Sequence, residues 1–136
     1  MRVLLIYCNH FEYKPTVKTL DSADEVKEGA AYSNAQAAFI QVEEEDVEKE
    51  KSVKKNLRNL LKWIHRKNNP DHIILHSFAH LSNSKAEPKY TKSFLDMIDD
   101  WLTERGYNVS QTPFGYFLDL KIEAAGFSLA RVYKEF

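Results

Sequence analysis

Two stripes of apolar residues constrain this chain most. Val53, Leu57, Leu60, Leu61 and Ile64 recur at the three- and four-residue spacing of one helical face, and Phe94, Met97, Ile98, Trp101 and Leu102 do the same further on. Each stripe must be buried against something. Residues 2–7, 35–42 and 73–78 supply it, as short runs rich in β-branched, aromatic and other apolar residues that read as buried strands. Asn68-Asn69-Pro70 stops the first helix, because proline disfavours helical backbone at the residue before it. Pro88 suits the first turn of the second helix and Gly106 its C-terminal cap. Residues 11–32, broken by Pro15 and Gly29, read as a loop region. Residues 114–124 and 128–133 read as a hairpin pivoting near Gly126. Strands alternating with two long helices predict one mixed-sheet α/β domain over residues 1–136.

Composition narrows the class. At 136 residues with 43% hydrophobic and 29% charged side chains, and only 4 Gly and 4 Pro, the chain is globular rather than disordered or low-complexity. No apolar run reaches the roughly 20 residues of a membrane span, and MRVLLIYCNH is too short and too weakly basic for a signal peptide. The expectation is a soluble cytoplasmic protein with no membrane contact. The single cysteine, Cys8, excludes a disulfide framework and a cysteine-only zinc site. With 19 Lys and Arg against 20 Asp and Glu, the net charge of -1 argues against a bulk electrostatic grip on nucleic acid. The charge is uneven, however. Residues 43–50 are acidic, residues 51–67 are basic, and Lys85, Lys89 and Lys92 form a second basic group, so a local basic patch stays open.

Several chemistries are missing. There is no phosphate-binding P-loop, no GxGxxG and no GxSxG, and the four glycines are scattered, so nucleotide-triphosphate chemistry is not expected. His72, His76 and His80 are evenly spaced, but on a strand the first two lie about 13 Å apart, too far to share one ion; no metal and no cofactor is expected. His65 reads as an exposed helix residue. Cys8 reads as a small buried hydrophobe, since proximity to His10 supplies neither a base nor an oxyanion donor. SFAHLS, residues 77–82, places His80 at a strand exit, and TPFGYF, residues 112–117, packs a Pro, a Gly and three aromatics before a strand. Strand exits are where α/β proteins hold ligands, because backbone groups run out of partners there. A histidine satisfied by backbone, and aromatics that simply pack, are the alternatives for these two loops.

Together MRVLLI followed by Glu12-Tyr13, AFIQVE at residues 38–43, FAHLS, ERGYNV at residues 104–109 and PFGYF resemble, in order and spacing over nearly the whole chain, the archaeal threonyl-tRNA synthetase N-terminal editing domain. The resemblance implies a D-aminoacyl-tRNA deacylase-like fold, a homodimer, and hydrolysis of mischarged L-seryl-tRNA(Thr). Other synthetase domains, or a separate synthetase chain, would be further partners. It implies a pocket of Val42, Ala79, His80, Phe114, Gly115, Tyr116 and Phe117, largely backbone, with His80 binding or orienting and the 2′-OH of the terminal adenosine activating water. Four positions depart from the family pattern. Leu118 stands where a lysine is usual and Phe117 where a tyrosine precedes it; Arg131 replaces a glutamate and Tyr7 a histidine. Lys121, the nearest cation in the strand, would reach the pocket only through a β-bulge. Two alternatives follow: a D-aminoacyl-tRNA deacylase proper, disfavoured because no Gly precedes a Pro here, and a catalytically lapsed tRNA-binding or dimerisation module.

Overall fold

The computed structural model describes residues 1–136. Its elements are β1 (Arg2–Lys18), β2 (Ala30–Gln41), a 3₁₀ turn (Glu44–Val47), α1 (Glu50–Asn68), β3 (His72–Ser77), α2 (Pro88–Glu104), β4 (Val109–Gln111), β5 (Tyr116–Ala124) and β6 (Arg131–Glu135). The sheet runs β4-β3-β2-β1-β5, with β6 also on β1. Strands β2, β3 and β4 are parallel neighbours, whereas β1 is antiparallel to β2, β5 and β6. The two parallel connections are the two helices, as parallel pairing requires a crossover. Both helices cover the same face. Their buried residues, including Leu57, Leu61, Ile64, Phe94 and Ile98, join Val3, Leu5, Ile40, Ile73 and Leu75 in one core. Each such side chain contributes about 1.5–3 kcal/mol on burial. A smaller cluster of Cys8, Phe11, Ala35, Ala37, Phe39 and Ile74 lies on the opposite face, with no helical residue in it. Cys8 is fully buried there, and burial pushes its thiol up to about 11.

The helices form as the stripes predict. Asn69 adopts the left-handed conformation that caps α1, with its N–H on His65 O, and Gly106 at φ +84° follows α2. His65 is half-buried against Tyr107 rather than free in solvent, with ring centroids 4.9 Å apart.

Two expectations are corrected. Residues 11–32 are not a loop region: β1 continues to Lys18 and β2 begins at Ala30. A register shift between Cys8 and His10 breaks the alternation that would have marked a longer strand. Pro15 is tolerated beyond the last β2 partner of β1, Tyr13, where one side of the strand needs no donor. Gly29 sits where an added Cβ would lie 1.9 Å from Tyr13 O, so the return of the chain requires glycine. Nor do β5 and β6 form a hairpin. They run in the same direction, end to end along one edge of β1: Lys18 to Cys8 pair with Tyr116 to Ala124, and Ile6 to Arg2 with Arg131 to Glu135. Gly126 marks an excursion between them. Tyr7 closes its base, accepting from Ala125 N–H at 3.0 Å and donating to Ala130 O at 2.8 Å.

The acidic run also holds the chain together. The α-amino group of Met1 is fully buried, 2.9 Å from Asp46 Oδ1 and 2.8 Å from Glu43 Oε1, and donates to Phe136 O at 2.6 Å.

Candidate functional site

Strands β2 and β3 run parallel and end together, at Gln41 and Ser77, on the same rim of the sheet. Beyond them the chain forms a cleft of about 530 Å³. All seven residues expected at the site, Val42, Ala79, His80, Phe114, Gly115, Tyr116 and Phe117, line it. The sequence places them in three separate segments; the parallel β2–β3–β4 order brings those segments together.

Backbone hydrogen bonds hold the loops that line the cleft. Phe78 N–H donates to Ile40 O at 2.9 Å and Ala86 N–H to Val42 O at 2.9 Å, so the 78–86 loop is tied to the end of β2 at both ends. The N–H groups of Ala79 and His80 between these ties have no acceptor in the chain. Buried Gln41 fixes the middle of the loop. Its Oε1 accepts from Leu81 N–H at 2.6 Å and Ser82 N–H at 2.8 Å, and its Nε2 donates to Ser82 O at 2.9 Å and Ser84 O at 2.8 Å. Opposite, Gly115 turns the chain at φ +82°, where an added Cβ would come within 2.8 Å of Ala23 Cβ. Its carbonyl accepts from Thr19 N–H at 2.7 Å.

The histidines do not converge. His72 hydrogen-bonds Ser110 at 2.9 Å, and His76 Nδ1 pairs with Thr112 Oγ1 at 2.8 Å. His76 is buried among Phe39 and Phe78, and desolvation lowers it from the usual 6.5 to about 4, so it is neutral at pH 7. His80 is exposed, meets Phe78 edge-on at 5.2 Å, and makes no hydrogen bond within the chain, so the backbone-satisfied alternative does not describe it. No group of three His, Cys, Asp or Glu side chains comes together. Tyr116 contributes ring rather than hydroxyl, since its OH donates to Asp24 O at 2.9 Å and accepts from Val26 N–H at 3.0 Å.

The four departures separate into two groups. Leu118 and Phe117 line the cleft. Arg131 and Tyr7 do not: the Arg131 guanidinium donates to Ala125 O at 2.9 Å, and the Tyr7 ring packs on Phe127. Lys121 also lies outside the cleft, because β5 pairs with β1 without a bulge between Leu118 and Lys121. The one lysine or arginine in the lining is Lys85. Sequence reasoning missed it, along with Gln41, His76 and Thr112. A polar residue inside an apolar strand run (Gln41 in AFIQVE, His76 in IILHSF) was the available signal for two of them.

A small mixed six-stranded sheet with both helices on one face is the D-aminoacyl-tRNA deacylase-like fold. A solved structure titled c-Myc DNA Unwinding Element Binding Protein shares this fold at a TM-score of 0.72, over 99% of this chain and 98% of that one, with 10% sequence identity. The model of the archaea-specific editing domain of threonyl-tRNA synthetase matches residues 1–136, and the chain belongs to that family. The threonine–tRNA ligase of Thermofilum pendens is 28% identical over 134 residues, and that of Thermococcus kodakarensis 32% identical over 136. In each case 97% of this chain is covered and 22% of the relative, so the chain spans about a fifth of the length of these curated relatives. No helix is long and apolar enough to cross a membrane.

Proposed function

We propose that residues 1–136 act as one editing unit in the cytoplasm, and that the cleft hydrolyses the ester joining L-serine to tRNA(Thr). The observation that carries this reading is the pair of unpartnered N–H groups at Ala79 and His80 in the cleft lining. Water adds to the ester carbonyl, and these two donors hold the oxyanion of the tetrahedral intermediate. The intermediate collapses by expelling the terminal ribose oxygen, which takes a proton, and serine is released. The 2′-OH of the same ribose activates the water. No titrating side chain is then required, in keeping with a neutral, buried His76. His80 orients the substrate, and Lys85 supplies the positive charge that the family lysine supplies elsewhere.

Such an activity answers a physical need. Serine lacks one methyl group of threonine, and a synthetic pocket separates the two by only about 1–3 kcal/mol, so a second, smaller pocket must remove the errors. Pairing of two copies through the β5 side is supported by its position at the sheet edge and by exposed Phe117, Leu120 and Ile122.

The test is deacylation of L-Ser-tRNA(Thr) beside L-Thr-tRNA(Thr) and a D-aminoacyl-tRNA. Rapid loss of serine alone is expected, and several-fold weaker turnover from His80→Ala. Loss of the D-aminoacyl ester instead would favour a deacylase proper. A second reading, a lapsed binding module, is favoured by one observation, apolar Leu118 lining the cleft, where the resemblance implies a lysine; a flat assay with retained tRNA binding would select it.

A further inference from the structure

Helix α1 concentrates the positive charge of a nearly neutral chain. Of the 19 Lys and Arg, seven lie in Glu50–Asn68, whereas of the 20 Asp and Glu only Glu50 does. At about 100° per residue, Lys51, Lys54, Lys55, Arg58, Lys62 and Arg66 fall within an arc of about 120°, whose Lys54 edge borders the buried stripe and whose remainder turns away from it, and they extend over about 22 Å. Only Lys54 has an acidic partner, Glu50 at 3.5 Å. Lys51, Lys55, Lys62 and Arg66 are exposed. Arg58 lies over the ring of Trp101 at 4.9 Å and Arg105 over the same ring at 3.9 Å, which carries the positive surface onto the end of α2.

This arrangement does not stabilise the folded chain. Lys51 and Lys55, Lys54 and Arg58, Arg58 and Lys62, and Lys62 and Arg66 are like charges one turn apart, and each such pair is unfavourable. A polyanion laid along the helix would reverse the sign of every one. The length suits a run of phosphates rather than a single anion. The one aromatic ring on the stripe is already occupied by two guanidinium groups, so nothing there stacks unpaired bases, and the surface suits the backbone of a paired stem. The stripe also begins beside the cleft, since only the 3₁₀ turn separates cleft-lining Val42 from the start of α1.

We propose that the outer face of α1 grips the phosphate backbone of an RNA stem, the acceptor stem of the tRNA whose 3′ end enters the cleft. The choice of stem rests on the editing reading above; the recognition of an RNA backbone does not. The test uses the 136-residue chain, an unacylated acceptor-stem hairpin RNA, and the triple variant Lys55→Gln/Lys62→Gln/Arg66→Gln, with thermal melts to verify folding. Removing three phosphate contacts is expected to weaken binding about tenfold or more, and to flatten the dependence of log affinity on log salt by about 2–3. Lys55→Arg/Lys62→Arg is expected to bind as the parent does. Unchanged affinity and salt slope in the triple variant would overturn the proposal, as would tighter binding of the parent to polyglutamate than to the hairpin RNA. A seryl ester of a CCA trinucleotide, which has no stem, should be hydrolysed equally by parent and triple variant; a selective loss there would also overturn it. If the parent hydrolyses neither ester yet binds the hairpin with the expected slope, the cleft reading fails and the RNA-binding face stands.

Discussion

The face of the sheet beneath α1 and α2 and the rim where β2 and β3 end are held by different forces. Beneath the helices Val3, Leu5, Leu57, Leu61, Ile64, Ile73, Phe94 and Ile98 are fully buried, and every one is apolar. At the rim the buried residues include Gln41, His76 and Thr112, and the chain is positioned by hydrogen bonds to backbone. An apolar core tolerates exchange among side chains of similar volume, because its forces are non-directional. A hydrogen-bonded rim does not, since each donor and acceptor must be matched in place. The molecule therefore divides into a part that sets stability and a part that sets geometry, and substitutions should sort accordingly.

The largest effect should come from the core. Phe94→Ala removes a fully buried ring and is expected to cost about 3–5 kcal/mol, read as a fall in thermal midpoint, with unchanged turnover per folded molecule. Selective loss of turnover without loss of stability would erase the distinction. Acid should act on the rim. Unfolded, His76 binds its proton near pH 6.5, but folded only near 4, so between these values the unfolded state holds more protons and stability falls as the pH falls. That contribution is intact above about pH 6.5 and reaches roughly 3 kcal/mol of destabilisation by pH 4. Burial lowers His65 and His72 as well, which adds in the same direction. Denaturant titrations at pH 7 and pH 5 should show a flatter dependence in His76→Gln than in the parent; identical slopes would remove His76 from the account. Gln41→Ala comes next. It leaves the Leu81 and Ser82 N–H groups without their acceptor, at about 1–3 kcal/mol, and should lower serine deacylation by more than that loss of stability explains, because the loop carrying Ala79 and His80 is released. Equal turnover with a mobile loop would mean that the loop is not the oxyanion wall.

The same division explains what could be read from the chain alone. Both helices were legible because an amphipathic stripe reports its own burial through a fixed period. The seven residues that the resemblance implies for the site all line one cleft. The length of β1 was hidden because the shift at Cys8 and His10 changes which face each side chain takes. The β5 and β6 relation was hidden for another reason: a hairpin and two end-to-end strands have the same local pattern, and only the partner strand, over a hundred residues earlier, tells them apart. Gln41 and Lys85 escaped because their roles depend on loops tied together across the rim rather than on neighbours in sequence.

The smallest expected effect is also the sharpest test of the rim. Leu118 is half-buried in the cleft lining, at a position where the resemblance implies a lysine, and Lys85 lines the cleft from the other loop. If the site requires one cation in the cleft, from either wall, then Lys85→Ala should lower kcat/KM for serine deacylation about tenfold, which corresponds to about 1.4 kcal/mol of transition-state stabilisation. Leu118→Lys alone should leave the rate equal or raise it several-fold, with little change in stability because a lysine stem can cover the same apolar surface. Placed in the Lys85→Ala background, Leu118→Lys should restore most of the lost rate. A double variant no better than Lys85→Ala would mean that the two walls are not interchangeable, and a Leu118→Lys variant that loses activity outright would give the leucine a packing role of its own in the cleft.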